Sequence, residues 1–393
     1  MQKCLVLLVS DQTIPNVLIA AHYSPDYLLF LSTPAMERKG KTEAILKTLA
    51  LRGQDYRERC HKIVVEADSI VDLQNKTSAW IHQQPEDFAF IVNLTGGTKL
   101  MAIAAYDVFM DFGSEMVYLP IPKNEILTPF PKRRPRPPEP LTERLSVHEY
   151  LTAYGFHTTN QDRLAAYQER CRSRQQLTQF LFAHYRDLQP LLDVLGADLR
   201  PQKKKKKVLK RGYELCAPFK AQTEPQLRLL EMLGFKRLQA EVRKTIHEED
   251  ADYLCGGWLE ERLFLAVEAA LPAAADVCLN VRCEAPGGST NEFDVLFTLD
   301  NVLYLIECKS LGSAEDDDKE MINAFLYKLG ALRQNFGLTP KAFLATTSPG
   351  VLDAHDQVKG HLLERGRQLN TEIIPLLTTA DVEAYFRTHF SRG

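Results

Sequence analysis

Three charged residues set into an otherwise apolar stretch hold the clearest chemistry in this sequence. They lie in Asn291–Ser310, read NEFDVLFTLDNVLYLIECKS. Two β-branched and aromatic runs flank Asp300-Asn301, a pair suited to a two-residue hairpin turn because both residues tolerate positive φ. With that turn, Leu299 faces Val302, Asp294 lies opposite Glu307, and Glu292 lies opposite Lys309. Side chains alternate along a strand, so Glu307 and Lys309 share a face. Asp294, Glu307 and Lys309 therefore converge at the end of the hairpin away from the turn. Like charges directly opposite each other cost on the order of 0.2–1 kcal/mol. A divalent cation gives such a pair a use, because hard oxygen ligands suit Mg²⁺ or Mn²⁺. The neighbouring lysine then orients a water or offsets charge on a phosphate. The competing reading is an exposed hairpin end with solvated charges.

The segments EFDV and YLIECK resemble the active-site hairpin of PD-(D/E)XK nucleases. Upstream, Gly256-Gly257-Trp258-Leu259-Glu260 resembles the first-helix motif of one branch of them. That branch joins a CARF sensor domain to the catalytic domain and works beside type III CRISPR systems. The resemblance implies a catalytic set of Asp294, Glu307, Lys309 and Glu260. It places Asp294, Glu307, the Cys308 main-chain carbonyl and Glu260 around Mg²⁺ or Mn²⁺. Gly257–Leu271 has helical spacing, with Leu259, Leu263, Val267 and Leu271 on one stripe and Glu260 beside it. Glu261 competes for the same role; Glu260 is favoured because it follows Trp-Leu as in the family. Asp276–Glu284 is expected to be the strand beside the hairpin, with Gly287–Thr290 the turn between. Ala314–Lys319 reads as an acidic loop. Met321–Phe336 reads as a helix with Tyr327, Lys328 and Arg333 on or near one side, expected to touch nucleic acid. Relatives often carry Gly-Gly after this helix, where this chain has Gly337-Leu338.

Residues 1–121 alternate apolar runs (Cys4–Val9, Tyr27–Leu31, Lys62–Glu66, Phe88–Leu94, Met116–Ile121) with segments of helical period (Lys41–Leu51, Ser69–His82, Thr98–Phe112). That alternation implies a doubly wound parallel sheet, which binds ligands beyond the carboxyl ends of its strands. Two loops occupy that edge: Ser10–Asn16 and Thr95-Gly96-Gly97-Thr98-Lys99. Glycines let a ligand approach the backbone, and free N–H groups at a helix start attract anions. The spacing fits neither a Walker loop nor GxGxxG, and a capped helix with a tight turn is the plainer alternative. Ser32-Thr33-Pro34 could form a third wall.

The segment Asn93–Met101 resembles the ligand loop of CARF domains. In that family it holds a cyclic oligoadenylate across a homodimer twofold, together with the loop after the first strand. The resemblance implies a homodimer and an activator, cyclic tetra-adenylate. It places Thr95, Gly96, Gly97, Thr98 and Lys99 against phosphate or ribose. Ser10, Asp11, Gln12, Thr13 and Asn16 fall on adenine edges or riboses, with Thr33 beside them. Asp11 is awkward next to a phosphate.

The elements that position these sites divide the chain into a Rossmann-like α/β sensor domain (1–128), a proline-rich linker and helical connector (129–225), and an α/β restriction-endonuclease-like domain (226–393). Pro129–Pro140 reads as a solvated strap stiffened by proline. A capped helix is expected from Ser146, and helical segments over Asp162–Leu195 and Pro225–Leu233. Lys203–Lys207, with Lys210 and Arg211, reads as an exposed loop, and Lys203 is a candidate phosphate contact. With 48 basic and 51 acidic residues the net charge is −3, so any nucleic-acid site must be local. The eight cysteines form no CxxC pair, and His247-Glu248-Glu249-Asp250 lacks the second histidine of a zinc motif. A reduced, cytoplasmic protein without a leader or membrane span is expected. The whole reads as a metal-dependent nuclease cutting DNA or RNA and switched by a cyclic oligoadenylate. The alternatives are a non-enzymatic nucleotide-sensing regulator that binds nucleic acid, and an unregulated DNase.

Overall fold

Strands buried on both faces read as continuous apolar runs, and the first half of the chain follows that rule. The computed structural model describes residues 2–84, 88–130, 136–238, 240–272, 275–311 and 317–390. β1 (Gln2–Leu8), β2 (Tyr27–Ser32), β3 (Cys60–Val64), β4 (Phe88–Asn93) and β5 (Glu115–Tyr118) form a parallel sheet ordered β3-β2-β1-β4-β5. α1 (Ile14–Tyr23), α2 (Pro34–Arg38), α3 (Lys41–Leu51), α4 (Ile70–Ile81) and α5 (Lys99–Met110) make the crossovers. Alternate residues of β1 serve opposite faces. Leu5 and Leu7 pack with Val17 of α1 and Ile45 of α3, while Cys4 and Val6 pack with Leu73 of α4 and Ala104 of α5.

The sheet continues past the expected boundary at 128. β6 (Glu125–Phe130) turns back antiparallel to β5, and β7 (Glu139–Pro140) pairs with β6. The two ends of the expected strap, 129–130 and 139–140, are therefore sheet edge, where proline costs no ladder hydrogen bond. Arg136 pairs with Glu115 at 3.0 Å; residues 131–135 lie outside the described residues. α6 (Val147–Ala153) opens on a capping box of Ser146 and Glu149 and packs on α1 and α3. It belongs with the sensor sheet.

The second sheet is ordered β16-β15-β14-β13-β12-β8. Its strands are β8 (His157–Thr158), β12 (Asp276–Glu284), β13 (Thr290–Leu299), β14 (Val302–Lys309), β15 (Lys341–Thr346) and β16 (Thr371–Pro375). β12, β13 and β14 run antiparallel, whereas β14, β15 and β16 run parallel. α7 (Gln161–Ser173) lies on β12, and α8 (Gln175–Ala183) packs against α13 (Trp258–Ala270). The expected connector is thus divided between the two sheets. α14 (Asp317–Gln334), α15 (Gly360–Gln368) and α16 (Val382–Phe390) complete this half. Of the expected acidic loop, residues 314–316 lie outside the described residues, and Asp317–Lys319 open α14 instead.

α9 (Tyr185–Lys203), α10 (Lys206–Arg211), α11 (Glu224–Met232) and α12 (Glu248–Asp252) surround a small sheet of β9 (Tyr213–Pro218), β10 (Lys236–Leu238) and β11 (Glu241–Ile246). The lysine run is helical on both sides of Lys204-Lys205 rather than an exposed loop. Lysine is a good helix former and suits a helix C-terminus, and Lys203 ends α9 paired with Asp252 at 2.8 Å.

One apolar cluster joins the two large sheets, running from Leu5 and Leu7 through Tyr150 and Tyr154 to Phe336, Leu305 and Leu326. Tyr154 and Phe156 both pack against Phe336. Each large side chain fully buried this way stabilises by about 1.5–3 kcal/mol, so the domains share a core as well as a chain.

Candidate active site and sensor loops

The hairpin turn forms as its residue types dictate, with φ of 50° at Asp300 and 64° at Asn301. Pairing runs from Leu299 and Val302 to Val295 and Ile306, and there the ladder ends. At the next position the Cys308 N–H donates to the Asp294 carboxylate at 2.7 Å, so a side chain replaces the backbone rung and the strands part. β14 stays straight beyond this point because Glu307, Cys308 and Lys309 pair with Leu344, Ala345 and Thr346 of β15. The parting also corrects one expected pair. Glu292 faces Arg282 of β12 at 3.1 Å rather than Lys309.

Lys309 Nζ lies 2.8 Å from Glu307 and 3.6 Å from Asp294. Lys328 of α14 reaches the same Glu307 oxygen at 3.0 Å. Glu307 is buried, and Lys309 also lies over the Phe325 ring. Burial opposes the Lys309 charge, but Asp294 and Glu307 outweigh it and hold its pKa above the ordinary lysine value. Burial and then the Glu307 charge push Asp294 up to about 6. Burial and then the Asp294 charge push Glu260 up to about 8. Perturbed carboxylates beside a lysine are a frequent mark of a functional site.

Glu261, the competing carboxylate, is buried and held by Arg174, whose Nε lies 2.7 and 2.9 Å from its two oxygens. Glu260 is the one close enough to Asp294 to register its charge. Asp294 and Glu260, whose charges are unfavourable where they stand, together with Glu307 fit a hard divalent cation, which would relieve them. They do not close a cage by themselves. Among the described residues, no group of three or more His, Cys, Asp or Glu side chains is gathered tightly enough to hold a metal ion.

The expected nucleic-acid contacts separate. Lys328 stands at the carboxylates. Tyr327 is exposed, and its hydroxyl meets Arg365 of α15. Arg333 turns the other way and donates to the Pro340 carbonyl at 3.3 Å, because five helical residues carry it off the face of Lys328. Lys203 is close enough to Glu260 to register its charge.

The sensor loops reach the expected edge, but several of their side chains serve the protein. Thr13 is fully buried and donates to the Ala153 carbonyl at 2.6 Å. Asn16 is fully buried, donates to the Leu8 carbonyl and accepts from Asn93, both at 2.9 Å. Neither is free to read a ligand, because α1 begins at Ile14 and turns Asn16 inward. Thr95 donates to Asn93 and accepts from the Leu119 N–H. Thr33 caps α2, and Thr98 caps α5 while donating to Ala67. A Cβ on Gly96 would lie 2.1 Å from the Leu8 carbonyl oxygen, and Gly97 has φ of 72°. Lys99 is exposed, and Asp11 is paired with Lys39 at 2.8 Å. Ser10 binds the Gln12 backbone. The Gln12 side chain accepts from Tyr154 and from the Leu338 N–H at 3.2 Å. That contact ties the first sensor loop to the segment after α14. Gly337 carries φ of 88° there, and a Cβ would meet Gln12 and Tyr154 at 2.4 Å.

A family model for the Card1 CARF domain matches residues 4–150, and one for the Card1-like endonuclease domain matches residues 247–369. The chain joins a Card1-type CARF domain to a Card1-like endonuclease domain. The first match ends inside α6, where the structure ends the sensor unit. Can2 from Sulfobacillus thermosulfidooxidans, solved in complex with cyclic tetra-adenylate, has the same fold: TM-score 0.72 at 20% identity, covering 99% of this chain and 98% of that one. The protein VC1899 from Vibrio cholerae superposes with a TM-score of 0.76 at 17% identity, over 99% and 98% of the two chains. A type III CRISPR defence DNA nuclease activated by cyclic oligoadenylate matches at 0.51 and 15% identity, over 91% of this chain and 49% of that one. No curated protein matches.

Proposed function

We propose that this protein is a divalent-metal-dependent nuclease of PD-(D/E)XK type, cutting DNA or RNA phosphodiesters. Its switch is a cyclic oligoadenylate, cyclic tetra-adenylate first, acting in type III CRISPR antiviral defence. The observation that carries this reading is the convergence of Asp294, Glu307, Lys309 and Lys328, with Glu260 beside them, where the hairpin parts.

Asp294, Glu307 and the Cys308 carbonyl would hold Mg²⁺ or Mn²⁺, with Glu260 completing the shell. When bound, the ion supplies a more acidic water and neutralises charge on the scissile phosphate. Lys309 orients the attacking water and stabilises charge as it builds. Lys328 approaches from α14 and offers a second ammonium to the phosphate. The residues at hand suit in-line hydrolysis without a covalent enzyme intermediate.

On the sensor side, the backbone of Gly96–Lys99 and the exposed Lys99 suit phosphate or ribose. Two copies would share the ligand across a twofold. The stripe Leu100, Ile103 and Met110 on α5 supports a dimer, since these apolar side chains are exposed and the helix starts at the ligand loop. Ligand binding then favours a closed state only if that state binds it more tightly. All eight cysteines are free, which suits a reducing cytoplasm. No helix among the described residues is long and apolar enough to cross a membrane.

The test is incubation with Mn²⁺, each cyclic oligoadenylate, and a panel of labelled DNA and RNA. Cleavage that needs both metal and one ring size supports the reading. A shifted strand without cutting at any metal concentration leaves a non-enzymatic regulator. Equal cutting with and without the ring leaves an unregulated nuclease.

A further inference from the structure

Tyr185, the first residue of α9, touches both elements that carry the candidate catalytic groups. It is buried, and its ring stacks on Trp258 with centroids 5.3 Å apart and planes at 30°. Trp258 opens α13 two residues before Glu260. The hydroxyl of the same ring meets the buried Thr347 hydroxyl at 3.1 Å. A buried tyrosine usually finds a partner for its hydroxyl, and this partner is itself engaged with the chain that leaves β14.

The ladder between β14 and β15 ends with Lys309 opposite Thr346. Past it, the side chains of β15 carry the hold further. The Thr346 hydroxyl donates to the Lys309 carbonyl at 2.9 Å, and the Thr347 N–H donates to the same carbonyl at 3.2 Å. Thr347 Oγ1 then accepts from the Leu311 N–H at 3.0 Å and donates to the Leu311 carbonyl at 3.2 Å. A hydroxyl has one proton and two acceptor sites, so with Tyr185 as the third contact the Thr347 rotor is saturated and fixed. The Lys309 stem lies over Phe325 with its ammonium 2.8 Å from Glu307. Where that ammonium stands therefore depends on where residues 309–311 are clamped.

We infer that Tyr185 is a positioning residue: its ring on Trp258 and its hydroxyl on Thr347 fix the exit of β14, and so Lys309, relative to the first turn of α13. This rests on the nuclease reading above. Supporting contacts of this kind hold the reacting groups in register, and a misplacement of about 1 Å can cost on the order of 10²-fold in rate.

The experiment compares Tyr185→Phe, Thr347→Val and Thr347→Ser in the full chain. Phenylalanine keeps the stack on Trp258 and removes the hydroxyl. Valine keeps the shape of threonine without its hydroxyl, and serine keeps the hydroxyl. Each is followed by Tm, by Mn²⁺ affinity from calorimetry, and by kcat and KM for a labelled strand that the wild type cuts. Hydrogen exchange of the peptide covering 309–311 is read by mass spectrometry without metal. Tyr185→Phe should lose about 10–100-fold in kcat, with KM and Mn²⁺ affinity nearly unchanged, while exchange rises about 2–10-fold. Thr347→Val should lose at least as much, and the two changes together should cost little more than Thr347→Val alone. Thr347→Ser should recover most of what Thr347→Val loses. Wild-type kcat in Tyr185→Phe, or unchanged exchange over 309–311, overturns the inference while leaving the nuclease intact. So does a loss in Thr347→Ser equal to that in Thr347→Val. A wild-type chain that neither binds Mn²⁺ nor cuts the strand overturns the nuclease reading and this one with it.

Discussion

Thr13, Asn16, Thr95 and Thr98 at the rim of the first sheet give their polar atoms to groups of the protein itself. At the parted end of the second sheet, Asp294, Glu307 and Glu260 crowd like charges together, answered by Lys309, Lys328 and the Cys308 N–H. Both sites sit where α/β sheets put ligands. They differ in what they present. The sensor rim presents shaped backbone, with Lys99 as its exposed charge in the second loop; the nuclease rim presents charge held out of balance. Substitutions at the first should act through shape, and at the second through charge.

The largest effect tests the charged side. Asp294→Asn keeps the volume and removes the charge, so metal-dependent cleavage should fall by about three orders of magnitude, several kcal/mol of transition-state stabilisation. Cyclic-oligoadenylate binding, measured by calorimetry, should not change. A parallel loss of both would erase the distinction between the two rims. Gly96→Ala tests the shaped side. Its Cβ would overlap the Leu8 carbonyl, and overpacking of this kind costs about 1–3 kcal/mol. The loop must move, so ring binding should be lost while metal affinity at the second site holds. Retained ring binding would show that the backbone there is not what the ligand meets.

The hairpin was legible because its information is local. Asp300-Asn301 sets the register, and the register places Asp294 opposite Glu307 whatever the rest of the chain does. The parting of the strands was not, since it depends on β15 holding β14 straight while Asp294 takes the Cys308 N–H. The alternating runs announced the parallel sheet. Asn16 was misplaced as a ligand contact because α1 starts at Ile14 and its first turn faces Leu8 and Asn93. Thr13 was misplaced for a related reason: its partner, Ala153, is remote in sequence.

A medium-sized effect lies in the pH dependence of the charged rim. Glu260 is raised from 4.5 to about 8 and Asp294 from 3.8 to about 6. The folded metal-free chain therefore holds these protons more tightly than the unfolded chain. That contribution to stability is full below the ordinary carboxylate range and is lost as pH rises through about 6 and then about 8. A cation competes with the same protons, so Mn²⁺ affinity should rise across that window. Glu260→Gln should flatten the upper part of both curves, read by thermal melts and calorimetry at stepped pH. An unchanged metal-free stability curve in that variant would detach Glu260 from the charged cluster.

The smallest effect comes from a charge the protein has already paired. Lys203 meets Asp252 at 2.8 Å, with both side chains well exposed, and such pairs contribute about 0–1 kcal/mol. A phosphate of the substrate can therefore replace Asp252 at little cost. Lys203→Ala should weaken strand binding a few-fold and reduce the salt slope by about 1. Asp252→Asn should do the reverse at low salt, freeing the lysine and tightening the strand. If both variants leave the salt slope unchanged, Lys203 serves only to close α9 against α12. The nuclease rim would then recognise its substrate through Lys309 and Lys328 without Lys203, and the charge that binds and the charge that cuts would be the same.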